Sequence, residues 1–185
     1  DMSYMFYSTP FNQSISGWNT SKVANFSSMF GFATKFNQTI GYWNTSEATD
    51  LTGMFYNASA FNQTLAGWDL SKVTSVRIMF EDAEAFDQNI TKLFSTLSDT
   101  VLNLSRFLDN SGMSATNYDA LLKFFNKGTV TGRNLGAEGL YFCGSSAARD
   151  SLIAKSWTIT GDIKAENVSI VTQPALDYCN GSLAK

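Results

Sequence analysis

Apolar residues recur along this chain at a fixed interval of 25. Phe11, Phe36, Phe61 and Phe86 head the series. Ile15, Ile40, Leu65 and Ile90 follow, then Trp18, Trp43 and Trp68, with Leu93 in the fourth slot. The next columns are Val23, Ala48 and Val73; Phe26, Leu51, Val76 and Val101; and Met29, Met54, Met79 and Leu104, with Phe30, Phe55 and Phe80 beside them. A unit this short cannot bury its own apolar face, so neighbouring units must stack. The pattern predicts a solenoid.

Each unit has two halves. From Val23 the apolar positions Val23, Phe26, Met29, Phe30 and Ala33 match one face of a helix of about two turns. Ser21, Ser46 and Ser71 stand just before these runs, where an N-cap belongs. Upstream, "ISGWNTS" reads as a brief strand around the Trp, and Phe-Asn-Gln as the return loop. Asn12 and Gln13, with their copies, are placed to hydrogen-bond between coils. Residues 1–106 thus form a repeat array of about four units, the first incomplete.

Residues 107–163 read as an irregular α/β cap. Ser114 or Thr116 caps a helix through "NYDALLKFF", which ends at Asn126-Lys127-Gly128. Ser145 or Ser146 caps a second helix, "AARDSLIAKS", and "WTIT" alternates as a strand. Residues 164–185 form a tail in which "NVSIVTQ" reads as a strand. The opposite end has no such finish. "MSYMFYSTPF" matches "SSMFGFATKF" with one residue deleted, which leaves Met2, Met5, Phe6 and Tyr7 on an open face. Two expectations compete: the chain is a fragment of a longer array, or another subunit covers the face head to tail. In the second case Val168 and Ile170 of the tail pair with a neighbour's edge.

The repeated word "FNQ-x-I-x-x-W-[ND]-x-S-x-V-x-x-[MF]-x-x-MF-x-x-A" resembles the BspA-type leucine-rich repeat of bacterial and protist surface proteins, also catalogued as a domain of unknown function in mycoplasma lipoproteins. Residues 1 to about 106 carry the resemblance. Residues 117–162, from "NYDALLKFF" to "WTITGD", are similar to the segment that commonly closes such arrays. The resemblance implies an α/β solenoid, a right-handed leucine-rich-repeat-like coil with short strands and short helices. It also implies display outside the cell in adhesion or recognition. The fourth unit departs from the word, with Asp87 for Asn and Leu93 for Trp.

Composition narrows the function. Net charge is −3, so no basic field exists to neutralise phosphates, and nucleic acid is not expected as a partner. No apolar run approaches the length of a membrane span. There is no histidine, and no nucleophile elbow, P-loop or dinucleotide fingerprint. Glu81, Asp82 and Glu84 lack the spacing of a calcium loop. The expectation is a non-catalytic protein without cofactor or metal.

Charged residues are only 16% of the chain, and hydroxyls and amides fill the polar surface, as in many exported proteins. Eleven of the 15 asparagines begin an Asn-x-Ser/Thr triplet. These are either N-glycosylation acceptors or chance products of a Ser/Thr-rich surface. The non-repeating Asn25, Asn57, Asn103, Asn167 and Asn180 are the preferred acceptors. Asn12, Asn19, Asn37, Asn44, Asn62 and Asn89 stand second, because an Asn buried in a ladder between coils cannot hold a sugar. Cys143 and Cys179 form one disulfide or remain two buried thiols; the secreted-looking surface favours the bridge.

The expected function is an extracellular or cell-surface adhesion and recognition module binding protein or glycan. The alternative is an N-glycosylated subunit that stacks on copies of itself into a filament or coat. The candidate ligand face comprises Asn19, Asn44 and Asp69 after each Trp, with Lys22, Glu47 and Lys72.

Overall fold

The computed structural model describes residues 1–96, 103–165 and Cys179. Successive units lie side by side in parallel. Single-residue bridges join Asn25 to Asp50, Asp50 to Ser75 and Ser75 to Asn103. Alternate main-chain N–H groups reach across to the next coil: Phe26, Ser28, Phe30 and Phe32 donate to the carbonyls of Asp50, Thr52, Met54 and Tyr56 at 2.7–3.0 Å. Between them, Met29, Gly31 and Ala33 close turns back onto Phe26, Ser28 and Phe30.

This division of labour corrects the expected helices. No α-helix forms between Val23 and Ala33 or in the copies of that stretch. An α-helix directs every N–H to the residue four before it, whereas here every second one is spent on a neighbour. The segment is a run of turns, kept from helical continuation by residues in the left-handed region. Ser28, Gly53, Ile78 and Arg106 occupy one such column, and Phe32, Asn57, Asp82 and Asn110 another. The expected strand around the Trp is absent as well; the parallel bridges fall at Asn25 and its equivalents.

The apolar columns form a single core. Phe30, Phe55 and Phe80 stack at 5.6–5.8 Å between ring centres, and each rests on the Phe that opens the next word, 3.7–3.9 Å away. Trp18, Trp43 and Trp68 form a second stack at 6.4–6.5 Å, their ring planes nearly parallel. The indole N–H of Trp43 donates to Ile15 O at 3.2 Å and that of Trp68 to Ile40 O at 2.9 Å. These polar tips are thereby satisfied inside the core.

The fourth unit shifts register. Val76 and Phe80 donate to the carbonyls of Asn103 and Phe107, which places Leu104 in the column of Phe26 and Phe107 in that of Met29. The expected alignment of Leu104 with Met79 is therefore corrected; Val101 lies outside the described residues. The extra residues fall between the word at Phe86 and the bridge at Asn103. The ladder resumes at Asn103, which pairs with Ser75 and donates to Thr74 O.

The stack continues past residue 106 without a break. Asn110 donates to Glu138 O at 2.8 Å. Strand β1 (Asn134–Gly136) then pairs in parallel with β3 (Thr158–Thr160), and β2 (Tyr141–Phe142) with β4 (Ile163–Lys164). Helices α1 (Ala115–Lys127) and α2 (Ser146–Ala154) occupy the place of the word. Ser114 is the N-cap of α1, accepting from Asn117 N at 3.4 Å. At α2 the hydroxyl of Ser145 instead donates to the buried carboxylate of Asp119, which also receives the N–H groups of Cys143 and Gly144. Cys143 and Cys179 form a disulfide. Arg149 holds Asp162 by two bonds of 2.7 and 2.8 Å, and the hydroxyl of buried Tyr118 donates to the same carboxylate at 3.1 Å.

Candidate recognition surface

Stacking turns each repeated polar position into a row on the surface. The Phe-Asn-Gln row is a ladder. Asn12 Oδ1 accepts from Asn37 N at 2.9 Å and from Gln38 Nε2 at 3.0 Å. Asn37 Oδ1 accepts from Asn62 N and Gln63 Nε2, and Asn62 Oδ1 from Asp87 N and Gln88 Nε2. The last rung is Asp87, whose Oδ1 receives Ser114 N at 2.8 Å and Asn117 Nδ2 at 2.7 Å. The N-terminal turn of α1 thus closes the ladder where a fifth word would begin.

The row after the Trp column works differently. Asn19, Asn44 and Asp69 each turn Oδ1 onto the N–H two residues ahead, at Ser21, Ser46 and Ser71. The serines expected as helix N-caps are therefore recipients of Asx turns. The N–H and hydroxyl of Ser71 hold the carboxyl of Asp69 below its ordinary range. Lys72 Nζ meets Glu47 Oε1 at 2.6 Å, both side chains about half exposed (51% and 52%). Lys22 is exposed in the same column. The stack does align the six residues of the expected ligand face, but the Asx acceptors and one ion pair are already committed within it.

The same turn occupies five of the eleven Asn-x-Ser/Thr triplets, those at Asn19 and Asn44 included. Asn25 staples Ser27, Asn89 staples Thr91 and Asn103 staples Ser105. Asp50 does the same to Thr52 N at 2.8 Å with a side chain that cannot carry a glycan. What the turn requires is the Oδ oxygen. Asn25 and Asn103, non-repeating in sequence, share one structural column with Asp50 and Ser75. The ladder asparagines Asn12 and Asn37 are exposed and Asn62 half-buried, so the expectation of buried ladder residues is corrected. Asn57 is half-buried in a left-handed turn. Asn167, Asn180, Val168 and Ile170 lie outside the described residues.

A feature the periodicity did not expose lies on the turn half. Tyr4, Tyr7, Phe32 and Tyr56 form a row of rings: Tyr4 to Tyr7 at 5.3 Å, Tyr7 to Phe32 at 5.4 Å, Phe32 to Tyr56 at 4.8 Å. Tyr4 is 60% and Tyr7 39% exposed; Phe32 and Tyr56 are half-buried. A Cβ on Gly31 would come within 2.8 Å of the Tyr7 ring, so glycine makes the seat for it. The usable signal was an aromatic residue in a column where other units carry Asn57 and Asp82. Beyond the row, Glu81 is buried against Arg106. Burial pushes the Glu81 carboxyl up, with the charge of Arg106 opposing. Among the described residues, no group of His, Cys, Asp or Glu is arranged to hold a metal ion, and no helix is long and apolar enough to cross a membrane.

Residues 1–94 match the model of a family described as Mycoplasma protein of unknown function, DUF285. No curated protein and no solved structure matches the chain.

Proposed function

Because the chain belongs to that Mycoplasma-type family of unknown function, we propose on the strength of its surface that it is a non-catalytic recognition module. In this reading it is a right-handed solenoid of the BspA leucine-rich-repeat kind, displayed outside the cell, and it holds a protein or glycan on another surface. The aromatic row carries the proposal. Repeating aromatic residues flanked by coils on both sides are buried, whereas Tyr4 and Tyr7 are exposed and Phe32 and Tyr56 half-buried, in columns that carry Gly31, Asn57, Glu81 and Asp82 in other units. Tyrosine supplies large contact area with a polar tip at low conformational cost, as binding surfaces require. The Cys143–Cys179 disulfide supports an oxidising location.

The test compares native chain with a Tyr4→Ser, Tyr7→Ser, Tyr56→Ser variant on immobilised glycans and extracellular matrix proteins. Binding of the native chain, weakened about tenfold or more in the variant, supports the reading. Equal binding by both, or loss only on Glu47→Ala and Lys72→Ala, sinks it.

A further inference from the structure

We propose that Tyr42, on the word half of the stack, is the platform of a binding site for a neutral saccharide, separate from the aromatic row of the turn half. Tyr42 is 88% exposed, more than any other large apolar side chain among the described residues. Its neighbour Trp43 is stacked between Trp18 and Trp68, so a coil lies on either side and the exposure is not an end effect. Among the described residues the Tyr42 ring meets no other ring and its hydroxyl makes no hydrogen bond.

The backbone accounts for this display. Trp43 N donates to Ile40 O at 3.0 Å, which closes a turn with Gly41 and Tyr42 at its tip. Ile40 and Trp43 are buried, and the Trp43 indole is tied to Ile15 O. The ring is therefore held out on a fixed base, and little main-chain freedom is left to lose on binding. The copies of this turn, Ile15 to Trp18 and Leu65 to Trp68, carry Ser16-Gly17 and Ala66-Gly67 at their tips. Glycine thus flanks Tyr42 in both adjacent coils and leaves no side chain beside it in that column. Coil packing demands part of this pattern. A Cβ on Gly67 would come within 2.4 Å of Gly41 O, and one on Gly41 within 2.5 Å of Thr64 O.

The surroundings fix the ligand class. Residues 11–21, 36–46 and 61–68, the words of these three coils, contain no charged side chain. Their exposed groups are hydroxyls and amides: Ser14 Oγ lies 3.2 Å from Ser16 Oγ, and Thr39 Oγ1 donates to Gln63 Oε1 at 3.3 Å. An anionic ligand finds no counter-charge in these segments; the Tyr42 column first carries one at Lys92, two coils along. A protein partner needs an apolar centre to its interface, and around Tyr42 the turn tips offer only serine, glycine and Ala66. A neutral sugar meets both halves of the surface. The C–H face of a pyranose packs on the aromatic ring, and its hydroxyls exchange hydrogen bonds with the rows of Ser, Thr, Asn and Gln. Because those rows recur in every coil, successive units of an oligosaccharide meet the same groups.

The experiment titrates the full chain, labelled with ¹⁵N and with ¹³C in its tyrosine rings, with four neutral probes: cellohexaose, laminarihexaose, chitohexaose and an oligomannose N-glycan. The Tyr42 ring signal is assigned by its disappearance in Tyr42→Phe. At least one probe should shift that signal to saturation. Tyr42→Ser should weaken the binding by about tenfold or more, read at the amides of Gly17 and Gly67. Tyr42→Trp should retain it, and the Trp43 indole signal should stay in place in every variant. A response to a hexasaccharide assigns the site to a polysaccharide, and a response to the N-glycan assigns it to a glycoprotein. The Tyr4→Ser, Tyr7→Ser, Tyr56→Ser variant should respond as the native chain does, which separates this site from the aromatic row. No saturable shift with any of the probes overturns the proposal. So does equal binding by Tyr42→Ser, loss of the response in the triple variant, or tighter binding of a sulfated heparin hexasaccharide than of the neutral probes.

Discussion

Asn37 accepts the main-chain N–H of Asn62 through its side-chain Oδ1 at 3.0 Å, one coil further along the stack. The same oxygen takes Gln63 Nε2 at 2.9 Å. Asn37→Ala removes both bonds and leaves two donors to water, so it should cost about 1 kcal/mol. Asn37→Asp should stay within about 0.5 kcal/mol of the native chain, because Asp87 performs this role with a carboxylate oxygen. Denaturant midpoints at constant slope measure both. Equal losses in the two variants would mean the amide nitrogen, not the oxygen, matters.

Phe55 lies between Phe30 and Phe80 at 5.8 and 5.6 Å, and on Phe61 at 3.9 Å, fully buried. Phe55→Ala should therefore lose about 3–5 kcal/mol. Its neighbour Tyr56, half-buried and edge-on to Phe32 at 4.8 Å, belongs to the exposed row. Tyr56→Ala should lose about 1 kcal/mol. Chemical unfolding of the pair separates scaffold from surface: a large loss at Tyr56 would make the row part of the core.

The difference between these two adjacent residues marks what the sequence could reveal. Phe55 was legible because burial between identical neighbours enforces the same residue type every 25 positions. The backbone of that stretch was not. Its apolar spacing suits a helix, but the same face is shown by turns that step four residues at a time, from Ser28 to Phe32 and from Ile78 to Asp82. A β-branched residue such as Ile78 at φ 51° is an unfavoured choice that no local propensity would suggest. The fourth-unit slip was hidden because Leu104 is apolar in either register. The triplets at Asn19, Asn44 and Asn103 carry an Asx turn that neither the modification reading nor the chance reading of those triplets anticipated.

Glu81 gives stability a pH dependence of a definite sign. Its folded pKa is raised above the ordinary 4.5 by burial, so the native state holds this proton more tightly than the unfolded chain. Its favourable contribution is present below 4.5 and is lost as pH rises through the folded value. Glu81→Gln keeps an oxygen for Arg106 and removes the buried charge. Relative to the native chain, the variant should gain stability between pH 4 and pH 7. Asp69 acts oppositely, since its lowered pKa contributes stability above 3.8 that falls away in acid. Thermal melts of native and Glu81→Gln chains across that interval check the sign; parallel curves would show that Arg106 cancels the burial.

The disulfide joins Cys179 to Cys143 across 36 residues, at the start of the segment that Asp119 holds through the N–H groups of Cys143 and Gly144. Closing a loop of that length restricts the unfolded chain, and the entropic estimate is about 4 kcal/mol. Cys143→Ala with Cys179→Ala should lower stability by up to that amount. The loss should appear in the cap, since the ladder from Asn12 to Asp87 makes no contact with either cysteine among the hydrogen bonds that define it. Hydrogen exchange can therefore localise it. Faster exchange at β2 and α2, with Trp43 and Trp68 indoles unchanged, is the expected result. Uniform acceleration through the repeat would instead make cap and coils one cooperative unit, as continuous pairing from Asn110 to Glu138 would allow.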